Sequence, residues 1–223
     1  MNEKATLELR QNLYTQVAKS NYDRFTKNEK TAFLINTYNF LAIETVITNF
    51  KTETGELDSI TKIGPFEFWA FGNIPYLVAG EQKSLDQIEK ETLKPLLTFD
   101  NGNLDARFHF AVICAANGCP ILIKEAYTPD NINSQLDKAT VEGLKVLRNL
   151  DTSNGALKLT ELFTWYVDDF ENHAIGNTEA SSGDIRSFIK RYAPDTDVSG
   201  EISFTPYDWS LNILNDTASK GEE

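Results

Sequence analysis

"TKNEKTAFLINTYNFLAIETVITN", residues 26–49, is the stretch on which the fold class turns. Thr26 and Glu29 stand at capping-box spacing with Phe25 just before them, so a long helix starts here and runs to about residue 49. The run is apolar enough to raise a second reading, a membrane span. Asn36, Asn39, Glu44 and Asn49 argue against it, because a spanning helix would not carry so many polar groups to mid-depth. What remains is a helix of a globular domain, with Asn36 and Asn39 one turn apart on the stripe that carries Phe40, Ile43 and Ile47.

On either side the pattern stays mainly helical. Residues 5–19 give an amphipathic helix. Ser84 and Gln87 form another capping box, opening a helix that Pro95 stops. Thr128 and Pro129 start a third long helix to about residue 148, with Ile132, Leu136, Ala139, Gly143 and Val146 inward. Thr160 opens a helix through Phe170, and "DIRSFIKRYA" supplies one more. "IPYLVAGEQKSL" reads as a hairpin bent at Gly80, and "EISFTPY" alternates like a strand. The expected architecture is α+β, a mainly helical single domain with a small antiparallel sheet. Residues 1–22 are assigned to an N-terminal helix packed on the domain, 23–215 to the domain itself and 216–223 to a frayed tail.

With 223 residues, 41% hydrophobic and 11% aromatic, the chain is long enough to bury one generous core. A net charge of −12 repels phosphate, which excludes nucleic acid and anionic membrane surfaces as partners. No stretch reads as a signal peptide. The compartment is therefore the cell envelope or periplasm if an export signal has been removed, and the cytoplasm otherwise.

Chemistry is sought where polar side chains point inward, since burying such a group unpaired is costly. At about 100° per residue from Leu85, Ile88 falls near 300° and Thr92 near 340°, with Glu89 near 40° inside their arc. Counted the same way from Leu162, Asp169 lands at about 340°, between Trp165 and Leu162, while Asp168 falls outside. Two amides and two carboxylates thus face the interior. They are either satisfied core groups or parts of a site.

"HFAVICAANGCP", residues 109–120, holds one of the two histidines and both cysteines. Preceded by "RF", it reads as a strand or as a short helix begun at Asp105. Neither geometry brings Cys114 to His109, and Cys114 reads as a small core residue. Cys119 follows the Asn117–Gly118 turn and precedes Pro120, a position suited to a helix N-terminus that would favour thiolate. His173, beside Asn172, reads as a surface histidine at a helix end. The spacing fits neither a closed zinc site nor a thioredoxin-type pair, and no glycine loop cradles phosphate, so no metal or cofactor is expected.

Five ordered blocks carry a family resemblance: "NEKTAFLINTYNFLAIETVI", "SLDQIEKETL", "DARFHFAVICAANGCPIL" with "EAYTPDNINSQLD", "LFTWYVDDF" and "YDWSLN". Together they resemble the domain of unknown function 547 family, over nearly all the chain after residue 23. The resemblance implies a shared fold and no established activity. Its pattern covers Asn36, Tyr38, Asn39, Glu89, His109, Cys114, Cys119, Pro120, Tyr166, Asp169, Asp208, Trp209 and Asn212. The chain departs from it at Leu34, often tryptophan, at Ala115 and Gly118, often glycine and serine, and at Ile121, often proline.

Two functions follow as expectations. One is a cysteine-dependent hydrolase or acyl transferase acting on a small-molecule or peptide substrate. Cys119 is its nucleophile, His109 its general base, Glu89 the group orienting His109, and Asn39 a hydrogen-bond or oxyanion donor. The other is a non-catalytic module, with "PFEFWAFGNIPY" as an aromatic surface for a protein partner or ligand and the inward polar groups bracing the core. An open cleft to Cys119 separates the first from the second.

Overall fold

Thr26 caps helix α1 (Lys27–Asn49) as its spacing requires. The Thr26 side chain accepts the Glu29 N–H, and the Glu29 carboxylate accepts the Thr26 N–H at 2.7 Å. The computed structural model describes residues 22–52, 55–146, 148–175, 178–179 and 183–213, so the helix expected over residues 5–19 and the tail lie outside the described residues. The buried face of α1 is Leu34, Ile35, Tyr38, Leu41, Ala42 and Val46. Of the residues expected on the inner stripe, Phe40 and Ile43 are half-buried and Ile47 is exposed.

Beyond α1, β1 (Lys51–Thr52) pairs antiparallel with β2 (Gly55–Glu56), and a short helix α2 (Trp69–Asn73) follows. Strands β3 (Tyr76–Val78) and β4 (Glu81–Lys83) form the expected hairpin, turning at Ala79 and Gly80 with φ of 51° and 82°. Ser84 and Gln87 then exchange capping bonds at 3.0 and 3.3 Å. The helix they open winds with a π pitch over Gln87–Leu93 and continues as α3 (Lys94–Leu97). Pro95 therefore does not stop it. The wider π turns move the carbonyl four residues back away from the proline ring, so the helix passes through for one more turn.

Asp105 caps a 3₁₀ turn, Ala106–Phe110, realising the helical alternative for this stretch. Arg107, fully buried, ties the turn down. Its guanidinium meets Asp105 through two bonds of 2.8 and 2.5 Å and Asp137 of the next helix at 2.8 Å. That helix, α4 (Ile132–Leu144), is shorter than expected at both ends, and Val146 is only half-buried beyond it. Gly143 is where the Phe110 ring presses closest: a Cβ there would lie 2.5 Å from the ring.

Strand β5 (Leu150–Asp151) pairs antiparallel with β6 (Leu157–Thr160). Thr160 thus ends a strand, and the single helix expected from it is two, α5 (Leu162–Trp165) and α6 (Val167–Glu171). The break is at Tyr166, with φ −122° and ψ 33°. After β7 (Ala174–Ile175) and β8 (Thr178–Glu179), Asp184 caps α7 (Ile185–Tyr192). Strand β9 (Ile202–Thr205) closes the larger sheet by pairing parallel with β6. That sheet is mixed, because the helices between β6 and β9 form the crossover a parallel pair needs. The core is aromatic where these helices meet: Phe110, Phe163, Phe170 and Phe188 are fully buried, with Phe163 and Phe170 ring centroids 4.4 Å apart. The whole is a mainly helical α+β domain. Among the described residues no helix is long and apolar enough to cross a membrane.

Candidate functional site

The 3₁₀ turn, the π-helical segment and the α5–α6 break point toward one another, and a cavity of 480 Å³ lies between them. Glu89, His109, Cys114 and Cys119 line it, together with Tyr38, Phe68, Trp165, Tyr166, Tyr207 and Trp209. Three of the residues singled out in the sequence, Glu89, His109 and Cys119, are therefore brought to a single space. Asn39 is not. Its amide donates to the Ala111 carbonyl at 2.8 Å and accepts from the Ile113 N–H at 2.9 Å, bracing the backbone between His109 and Cys114. Asn36 braces Tyr127 in the same two-bond way.

His109 is 2% exposed, and its Nε2 lies 2.9 Å from Asp169 Oδ2. An ionised carboxylate only accepts, so Nε2 carries the proton and Nδ1 keeps its lone pair. The ring is sandwiched between Phe108 and Tyr166, each with its centroid 4.0 Å away. Asp169 also accepts from Lys94 at 2.9 Å. Burial pushes the His109 pKa below its ordinary value and outweighs the pull of Asp169, so the imidazole is neutral at neutral pH. Burial raises the Asp169 carboxyl, but the hydrogen bonds from His109 and Lys94 overcome it and hold the group below its ordinary value.

The group orienting His109 is thus Asp169, and not the expected Glu89. Glu89 accepts from the Tyr166 hydroxyl at 3.4 Å, and the Tyr38 phenol bears on it as well. Burial raises its pKa despite both phenols. Tyr38 is pushed far up by burial and by Glu89, and Tyr166 is pushed up by the same two causes.

Cys114 and Cys119 are joined in a disulfide, with Cα atoms 6.2 Å apart. This corrects the reading of Cys114 as simply a small core residue. The chain can close so short a loop because Ala115 takes a left-handed φ of 61°. No helix starts at Pro120. The sulfur of Cys119 instead receives two donors, the Cys114 N–H at 2.9 Å and the Tyr207 hydroxyl at 3.2 Å, and that hydroxyl is also 3.3 Å from Cys114 Sγ. Gly118 permits this approach, since a Cβ there would stand 2.8 Å from the Tyr207 ring.

The mouth of the cavity is aromatic. Trp165 stacks on Trp209 at 5.7 Å, and Phe68 meets Trp209 edge-on at 4.9 Å. Phe68 and Trp165 are each 45% exposed. Part of the surface expected for a partner thus frames the cavity, while Phe66 stays outside it and exposed. Lys94, Tyr207 and the pairing role of Asp169 were not read from the sequence. Tyr207 opens the quoted "YDWSLN" block, the one signal that pointed to it.

The second histidine is buried, not on the surface. His173 accepts from the Ala106 N–H at 3.1 Å and lies 2.8 Å from the Tyr192 hydroxyl. Among the described residues no three His, Cys, Asp or Glu side chains gather as a metal site would require.

Comparisons with curated proteins and with solved structures give no match. The model of one family, described as a protein of unknown function, DUF547, matches residues 22–142, the part that holds Glu89, His109, Cys114 and Cys119. The match takes in more than half of the chain, and the chain belongs to the DUF547 family.

Proposed function

We propose that this domain is a cysteine-dependent hydrolase or acyl transferase whose working form is the reduced one. The observation that carries the reading is a neutral histidine, aligned by a carboxylate, in the wall of a cavity that also holds both sulfurs. In the reduced protein His109 Nδ1 takes the proton of Cys119, and the thiolate attacks an acyl carbon. His109 then returns the proton to the leaving group, and water or a second nucleophile resolves the thioester. The Cys114 N–H and the Tyr207 hydroxyl stabilise the Cys119 thiolate, the role a helix N-terminus was expected to play.

The disulfide is then the resting form. An external thiolate attacks the half-buried Cys114 sulfur, Cys119 leaves as the stabilised thiolate, and a second thiol releases Cys114 as the reductant becomes a disulfide. The disulfide is also the observation that favours the other reading, a ligand-binding cavity without chemistry, because it occupies the nucleophile. One experiment separates them. The protein is incubated with and without a dithiol reductant, then with a panel of activated aryl esters and thioesters, and probed in parallel with iodoacetamide. The enzyme reading requires turnover after reduction, lost in Cys119→Ser, and labelling of Cys119 faster than a free peptide thiol. Reduced protein with no turnover and ordinary labelling leaves the binding cavity.

A further inference from the structure

Glu89 is freed by the geometry from the role of holding His109, and it is oddly placed for a purely structural group. It is buried, it lines the cavity, and its partners are two neutral phenols. A buried carboxylate ordinarily requires a cation. Among the described residues no cation lies within ion-pair distance of Glu89. Lys90 is the nearest in sequence and also lines the cavity, but its ammonium is bound to Asp86 at 2.8 Å. That pair is self-contained, so Glu89 is the acidic group left facing the cavity without an ion pair. The rings of Tyr38, Tyr166, Tyr207, Trp165, Trp209 and Phe68 line the same cavity. Aromatic faces attract cations and apolar stems, and they repel anions.

We infer that the cavity takes a substrate whose entering end is a primary ammonium on an apolar stem, seated against Glu89 and walled by the aromatic rings. The size of the cavity suits a small amine or a single side chain rather than a folded surface. This deepens the hydrolase reading by naming its substrate class, and it rests on that reading only for the claim that the bound amine is a substrate. Binding itself needs no free thiol.

The test is therefore run on the oxidised protein, where chemistry is blocked. Binding of 3-phenylpropylamine, 3-phenylpropanol and 4-phenylbutyrate is followed by the fluorescence of Trp165 and Trp209 and by calorimetry. The amine is expected to bind at least tenfold more tightly than either of the others, and Glu89→Gln to bring the amine within about threefold of the alcohol. Equal affinities for the three compounds, or an unchanged preference in Glu89→Gln, overturn the inference. Should Glu89→Gln fail to fold, Lys90→Gln replaces it. Its exposed ammonium carries no core packing, and its removal should tighten the amine severalfold and weaken the carboxylate, the reverse being fatal. The same probes on reduced protein keep the two ideas apart: amine preference without turnover sinks only the hydrolase, and turnover without amine preference sinks only this inference.

Discussion

Asp169 is one carboxylate oxygen serving two donors, the Lys94 ammonium and the His109 ring. Lys94 helps keep Asp169 ionised, and Asp169 fixes which histidine nitrogen is bare. In the reduced enzyme proposed above, Asp169→Asn should lower kcat/KM by about 10²-fold or more while the protein still folds. Loss of the charge that supports the imidazolium should also move the acid limb of the pH–rate profile to lower pH, a shift that a merely structural change would not produce. A full-rate Asp169→Asn with an unmoved acid limb removes Asp169 from the mechanism. At this scale the sequence showed direction but not partnership. The inward aim of Glu89 and Asp169 followed from helical angles alone, because burial of a helix face is periodic. Which of them meets His109 depends on how α6 lies against the 3₁₀ turn, and no local pattern carries that. The Cys114–Cys119 closure was hidden for a related reason: it depends on one left-handed residue, Ala115, whose side chain gives no hint of it.

Among the elements, those with their own end signals were legible. The Thr26 and Ser84 capping boxes and the Ala79–Gly80 turn are local bonds that form wherever the sequence sits. The helix expected from Thr160 was misread because tertiary contacts override its periodicity. Tyr166 leaves the helical conformation where its ring lies on His109 and its hydroxyl reaches Glu89. Helix α4 offers a direct check on packing at this scale. Gly143→Ala should raise intrinsic helix propensity by about 1 kcal/mol. The new methyl would sit 2.5 Å from the Phe110 ring, an overpacking cost of about 1–3 kcal/mol. A net loss of stability in urea denaturation is expected, although the substitution is favourable in an isolated helix. A gain in stability would show that Phe110 yields freely.

For the whole molecule, the buried histidines set the response to acid. Burial holds His173 at about 4 and also keeps His109 below its ordinary value. The unfolded chain therefore takes up protons first as pH falls below about 6.5, and stability present above that pH is lost on the way to 4. Asp169, held low, adds to the loss further down, whereas Glu89, raised by burial, opposes it by protonating more readily in the folded state. From His173 alone, holding the ring at about 4 where the unfolded chain has about 6.5 gives a loss on the order of 3 kcal/mol, read as a falling urea midpoint between pH 7 and pH 4. A flat profile over that range would contradict the burial of both rings. At this scale too, the parallel pairing of β6 with β9 brings the chain back so that residues 207–211 can dock on the cysteine loop. Gly118 N–H meets the Asp208 carbonyl there, Asn117 N–H the Ser210 carbonyl, and Ala116 bridges to Leu211. During translation, then, a nascent polypeptide that has already emitted both cysteines still lacks the lid over them. Their thiols meet the surrounding redox medium before the aromatic enclosure is complete, so the oxidation state in which the pocket first closes is decided by the medium and not by the pocket.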